Sequence, residues 1–245
     1  MLFQELTNFQ ILYGIFSVIF VVIAVIIGFQ ILLKYLTLKK KELITVGLAL
    51  IFLTSAWWGS AFSFLSYVIV GYELSEFQFF LLGDAFIPIA LICWMYSFLI
   101  LVYPHKLKKV LPFYVIISVV YEIILIYFLF TDPSQIATIE GRFNSDHKLF
   151  ALSFLAFAIL SVLITGILFA RESLKSEDPK IRLKGKFILV GIISFCFGAI
   201  FDAGIPMNSI TLVLIRLLLI SSAIEYYFGF LIPDRIADIL TRSKQ

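Results

Sequence analysis

Residues 205–233 read IPMNSITLVLIRLLLISSAIEYYFGFLIP, an apolar run that carries an arginine and a glutamate, Arg216 and Glu225. A bilayer-crossing helix needs about 20 mostly apolar residues, and this stretch supplies them. An ionisable side chain near the bilayer centre costs roughly 2.5–3.5 kcal/mol on insertion scales, so Arg216 must face other protein or trapped water and meet a partner. That partner is not Glu225. The two are nine residues apart, which at about 100° per residue places them on opposite faces of the helix.

The rest of the chain is built to match. Of its 245 residues 62% are hydrophobic and only 14% charged, and the mean hydropathy of +1.06 is far above that of a soluble domain. Six further apolar runs fall near 9–33, 43–70, 77–102, 110–130, 149–169 and 187–201, the last short and expected to extend at both ends. Long continuous runs of this kind are helices; a membrane barrel would show short alternating segments, so no strands are expected. The first run is preceded by no positive residue and is too long for a signal-peptide core, which makes it the first helix of the mature protein. The expected fold is an all-α integral membrane protein, a seven-helix bundle over residues 1–233 with a short amphipathic, basic tail at 234–245.

Lysine and arginine placement predicts the orientation. Lys34, Lys39, Lys40 and Lys41 follow the first run, and Lys106, Lys108 and Lys109 follow the third. Arg171, Lys175, Lys180, Arg182, Lys184 and Lys186 lie between the fifth and sixth, and Arg235, Arg242 and Lys244 lie in the tail. Only Arg142 and Lys148 fall on the opposite side. The N-terminus is therefore expected outside and the C-terminus in the cytoplasm, in a multi-pass protein of the cell (plasma) membrane.

Two loops are longer than the others. The outer segment 131–148, TDPSQIATIEGRFNSDHK, has apolar anchors at Ile136, Ile139 and Phe143 that would suit a lid, but it reads first as a connector, with His147 a solvated loop residue. The inner segment 171–186 mixes both signs; it suits contact with anionic lipid or with a cytoplasmic partner. Cys93 and Cys196 sit inside apolar runs, where they read as small buried hydrophobes, with no loop pair to form a disulfide or a metal site. No cofactor is expected. No basic block interleaved with aromatics points to nucleic acid.

The charges that do not belong in lipid define the candidate site. At 1.5 Å per residue, Asp84 lies roughly 10 Å, Glu122 roughly 12 Å and Arg216 roughly 15 Å below the outer ends of their helices, with Asp202 close to the outer end of its own. Glu225 alone belongs to the inner half. Asp84 or Asp202 is the natural partner of Arg216, since a guanidinium takes a carboxylate bidentately. The two readings of these groups are a buried ion pair that fixes helix register, and a polar outer cavity in which Arg216 holds a small anionic ligand. Pro88, one turn beyond Asp84, frees the Asp84 carbonyl and marks a kink or hinge. Ser55, Gly59 and Ser63, beside Trp57 and Trp58, form a small-residue packing face, as do Gly191 and Gly198. Tyr103, Tyr226 and Tyr227 read as interfacial belt residues.

Several functions fail for want of their residues. Residues 205–233 contain no lysine for a retinal Schiff base, and neither a Gly-x-Ser-x-Gly nor a His-Glu-x-x-His element occurs. No enzyme is expected. The run Arg216-Leu-Leu-Leu-Ile-Ser-Ser-Ala-Ile-Glu-Tyr-Tyr-Phe-Gly-Phe-Leu-Ile-Pro233, at the end of seven short-looped helices, resembles the seven-helix membrane sensor region of archaeal and bacterial histidine kinases. The resemblance implies a signal sensed in or outside the membrane and passed along the seventh helix. After Pro233 only residues 234–245 follow, so no kinase or cyclase output domain is expected in the same chain. Asp234 is placed to cap a tail helix with Ile236, Ile239 and Leu240 on one apolar face.

The expectation is thus a stand-alone, receptor-like sensor that signals to a separate cytoplasmic protein. The alternative is a small-solute or ion transporter or channel subunit in which Asp84, Glu122, Asp202 and Arg216 line the path. A second copy of the chain is a further candidate partner.

Overall fold

The structure, a computed structural model, describes residues 6–205 and 207–242. The molecule is 85% helical. Seven helices among the described residues are long and apolar enough to cross a membrane: α1 (Asn8–Leu38), α2 (Glu42–Val70), α3 (Glu76–Val102), α4 (Pro104–Thr131), α5 (Leu149–Leu174), α6 (Pro179–Gly204) and α7 (Ser209–Leu231). The short sixth run of the sequence extends at both ends. Spanning helices satisfy every backbone group within themselves, which is why each apolar run takes this form.

The ends of the helices are written locally. Thr7 and Gln10 form a capping box at the start of α1, Ser75 and Gln78 one at the start of α3, and Asn208 and Thr211 one at the start of α7. Asp178 caps α6 with Pro179 just inside it. At the far end of α2, Gly71 takes the left-handed conformation with φ 70°, which glycine adopts without steric cost.

Helices α1, α2, α3, α5, α6 and α7 close a ring in that order, with α7 returning to α1. α4 stands outside, packed on α3 and on α5, where the Tyr121 ring stacks on Phe154 at 3.9 Å. Its span is the least buried of the seven. Small residues permit the closest crossings, as expected. A Cβ on Gly59 would meet the Phe79 carbonyl at 2.7 Å, and one on Gly191 would meet the α7 backbone at Tyr226 at 3.1 Å.

Two spans are interrupted. α2 passes through a 3-10 segment, Thr54–Trp57, a device that often marks a hinge. α3 stops at Asp84 and restarts at Ile87. Pro88 is therefore not the interior proline of a kinked helix; it sits in the first turn of a new helical segment, where its missing N–H costs nothing.

The α4–α5 connection departs most from expectation. It contains two strands, β1 (Ala137–Glu140) and β2 (Asn144–His147), paired antiparallel with Ala137 opposite His147 and Glu140 opposite Asn144. Gly141 turns the chain between them with φ 68°. This hairpin is no plain connector. Ile136 and Phe143 are buried, the Phe143 ring packs edge-on against Phe64 at 5.4 Å, and Ser63 Oγ donates to the Arg142 carbonyl at 3.2 Å. The lysine- and arginine-rich turns lie at the opposite end of the bundle, hereafter the basic end.

At the basic end Tyr226 is not a belt residue. It is buried, its hydroxyl donates to the Val46 carbonyl at 3.2 Å, and its ring packs 6.1 Å from Trp94. Beyond α7 a short helix, α8 (Asp234–Arg242), returns against α6, with Lys180 Nζ 3.0 Å from Asp238 Oδ1. Among its described side chains Ala237 is buried, while Ile236, Ile239 and Leu240 face outward. The expected cap at Asp234 and the basic Arg242 and Lys244 lie outside the described side chains.

Candidate functional site

Arg216 and Asp202 form the centre of the hairpin half. Asp202 lies near the end of α6 and Arg216 two turns into α7, so the short link between these antiparallel helices brings them level. Arg216 Nη1 stands 3.0 Å from Asp202 Oδ1 and donates to Oδ2 at 3.1 Å. Only the Oδ2 contact has hydrogen-bond geometry, so Oδ1 is left without a donor. Trp57 Nε1, turned inward by the 3-10 segment of α2, donates to Oδ2 at 2.6 Å. Four helices meet at this carboxylate and its arginine, because Tyr13 of α1 lays its ring 5.1 Å from the guanidinium carbon, with the Trp57 ring at 5.8 Å.

Of the two carboxylates that sequence depth allowed for Arg216, the structure selects Asp202. It also withdraws Arg216 from ligand contact. The residue is 0% exposed, roofed by Tyr13 and Trp57 and absent from the walls of the neighbouring cavity. Of the two readings of the sequence, the geometry shows the ion pair, with Arg216 Nε and Nη2 left without a hydrogen-bond partner.

Asp84 has a different partner. At the break in α3 its Oδ1 lies 3.2 Å from Nε2 of His147, the last residue of β2. His147 is therefore not a solvated loop residue: the hairpin carries it down against the bundle, where its side chain is 18% exposed. Burial pushes its pKa down, but the charge and hydrogen bond of Asp84, with the more distant Asp146 and Asp202, outweigh burial and raise it above the ordinary 6.5. Glu122 is partly buried on α4, and its Oε2 has no hydrogen-bond partner. Glu225 lies apart at the basic end, beside Ser194 and Ser221.

Between the Asp202–Arg216 and Asp84–His147 pairs lies a cavity of ≈ 90 Å³, lined by Tyr13, Trp57, Ser60, His147, Asp202 and apolar side chains of α5 and α6. A larger recess of ≈ 400 Å³ lies on its outer side, with Gln10, Gly141 and Arg142 in its walls. Tyr13 and Asn144 border both spaces. The Tyr13 hydroxyl donates to Asn144 Oδ1 at 2.8 Å, and this hydrogen bond forms the partition.

Five of the residues singled out in the sequence thus belong to the hairpin half (Asp84, Pro88, Glu122, Asp202 and Arg216); Asp202 pairs with Arg216 and Asp84 with His147, while Glu122 and Pro88 are in neither pair. Sequence reasoning missed Tyr13, Asn144 and His147 and took Trp57 for packing alone. A signal for Trp57 was available, since an indole N–H in an apolar helix needs an acceptor. Among the described residues no group of three or more His, Cys, Asp or Glu could hold a metal ion. No protein-family model matches the chain, and no curated protein or solved structure resembles it significantly.

Proposed function

We propose that this protein is a receptor-like membrane sensor. In this reading the hairpin end lies outside the cell, a small ligand is taken up in the cavity beneath the hairpin, and α7 carries the change to the cytoplasmic face, where α8 and the basic turns meet a separate signalling protein. The observation that carries it is the position of Asp202. It lines the cavity from α6 and is bonded to Arg216 of α7, so any guest that repositions the carboxylate also repositions α7. α7 leads directly into α8, which is tied to the start of α6 by the Lys180–Asp238 pair. The resemblance of residues 216–233 to kinase sensor regions points the same way.

Transport is the weaker reading. A solute path would have to continue through the basic half, and there Trp94, Met95, Leu99, Ile188 and Tyr226 are packed to 4% exposure or less, with Trp94 Nε1 bonded to Thr165 at 2.7 Å. The test is purification in mild detergent of the full chain and of a chain truncated at Pro233. A soluble signalling protein retained only by the full chain is expected. Ion- or solute-coupled uptake by the purified protein in liposomes, with no partner, would replace the sensor by a transporter.

A further inference from the structure

The cavity beneath the hairpin has a definite chemical character. Its two ionic neighbours are already paired, Asp202 with Arg216 and His147 with Asp84. A charged guest would lose its hydration and find no free counter-charge. The remaining walls include Ala158, Val162, Phe195 and Ala199, which suit an apolar body. Asp202 Oδ1, 3.0 Å from Arg216 Nη1, accepts no hydrogen bond, and Ser60 stands on the same wall. That oxygen is closed off from solvent, but the terminal torsion of an aspartate is soft. A small rotation brings Oδ1 to a guest while Trp57 and Arg216 keep the other oxygen.

Size narrows the choice. An engineered apolar cavity of about 150 Å³ admits benzene, and this one, at ≈ 90 Å³, takes something smaller. We propose that the cavity is a binding site for a small, neutral, mainly apolar molecule carrying one hydroxyl, whose O–H donates to the Asp202 carboxylate. A free short-chain alcohol and the hydroxyl end of a lipid chain offer the same chemistry. The inference rests on the sensor reading only for what binding accomplishes; the site itself is defined by the walls and the unsatisfied oxygen.

The test reads occupancy directly. Ser60→Cys is introduced into a chain with Cys93→Ala and Cys196→Ala, the full protein is placed in phosphatidylcholine vesicles, and the rate of labelling by a small neutral thiol reagent is followed. 1-Propanol is expected to slow labelling several-fold in a saturable way, while propionate at equal concentration leaves the rate unchanged. Ser145→Cys reports the same cavity from the hairpin side. Ala158→Leu, which fills the space with apolar volume, should abolish the protection and so separates it from a general solvent effect. Octadecanol added to the vesicles distinguishes the two sources: protection by the membrane-resident alcohol identifies a lipid hydroxyl, and protection by 1-propanol alone identifies a free one. Equal protection by propionate, protection that persists in Ala158→Leu, or failure of both cysteines to label would overturn the assignment. Labelling does not depend on any downstream partner, so failure here is distinct from failure of the truncation experiment.

Discussion

His147 Nε2, at the end of the hairpin, stands 3.2 Å from Asp84 Oδ1 at the break in α3. The contact joins an extramembrane loop to the interior of the bundle, and a histidine makes it a titratable clasp near neutral pH. Because the folded-state pKa of His147 is raised above its ordinary 6.5, its contribution to stability is complete below that ordinary value and is lost as pH rises through the higher folded value. The thermal midpoint of the purified protein should therefore fall across the upper part of the window from about pH 5 to about pH 8. His147→Gln should flatten that slope. The difference between the two profiles reports the imidazole together with its interaction with the carboxylates that face it, Asp84 first. Identical profiles would remove His147 from the clasp.

Breaking the Asp202–Arg216 pair from one side leaves a buried carboxylate without its counter-ion. Arg216→Leu should destabilise the protein by about 3–5 kcal/mol, the range for an orphaned partner of a buried pair. Adding Asp202→Asn should restore much of the loss, and adding Asp84→Asn should not. Denaturant titration of the three variants in detergent decides it, and equal rescue by both second substitutions would contradict the pairing.

The helix crossings make opposite predictions for two glycines. A Cβ on Gly47 would stand 2.5 Å from the Gly28 carbonyl oxygen and 2.8 Å from the Leu32 nitrogen, backbone atoms that cannot step aside. Gly47→Ala should cost about 1–3 kcal/mol. At Gly83 an added Cβ meets nothing within 4 Å, and Gly83→Ala should stabilise its helix by about 0.5–1 kcal/mol. Paired unfolding curves would show the two effects with opposite sign.

Tyr13→Phe keeps the ring over Arg216 and deletes only the hydroxyl that closes the partition with Asn144. Labelling of Ser60→Cys from the aqueous side should accelerate several-fold in this background. An unchanged rate would show that solutes reach the cavity by another route.

The spanning helices were legible because lipid imposes a single rule, long apolar runs, that local context cannot override. Buried charges were legible for the same reason. Their pairing was not, because depth along a helix gives height but not azimuth: by height Asp84 stood nearer to Arg216 than Asp202 did, and only the short link between α6 and α7 favoured Asp202. The hairpin was hidden by its polarity. Residues 137–147 carry no strong alternation, and the signals that remained were Gly141 as a turn residue and the anchors Ile136 and Phe143. Missing the hairpin meant missing His147 and Asn144, whose roles depend on where it folds. Tyr226 was misread because a tyrosine at the end of an apolar run can seek the interface or an interior carbonyl, and its sequence position is the same in both cases.

The hairpin touches three successive helices at once, α1 through Asn144, α2 through Phe143 and Arg142, and α3 through His147. It acts as a fulcrum. Helices joined through one hairpin at one tip and by short turns at the other are held more firmly at the hairpin end than along their length. α7, of 23 residues, is a lever about 35 Å long at 1.5 Å per residue. In the proposed sensor, the effect of a small adjustment of Arg216 near the hairpin end of that arm would be largest where α7 passes into α8.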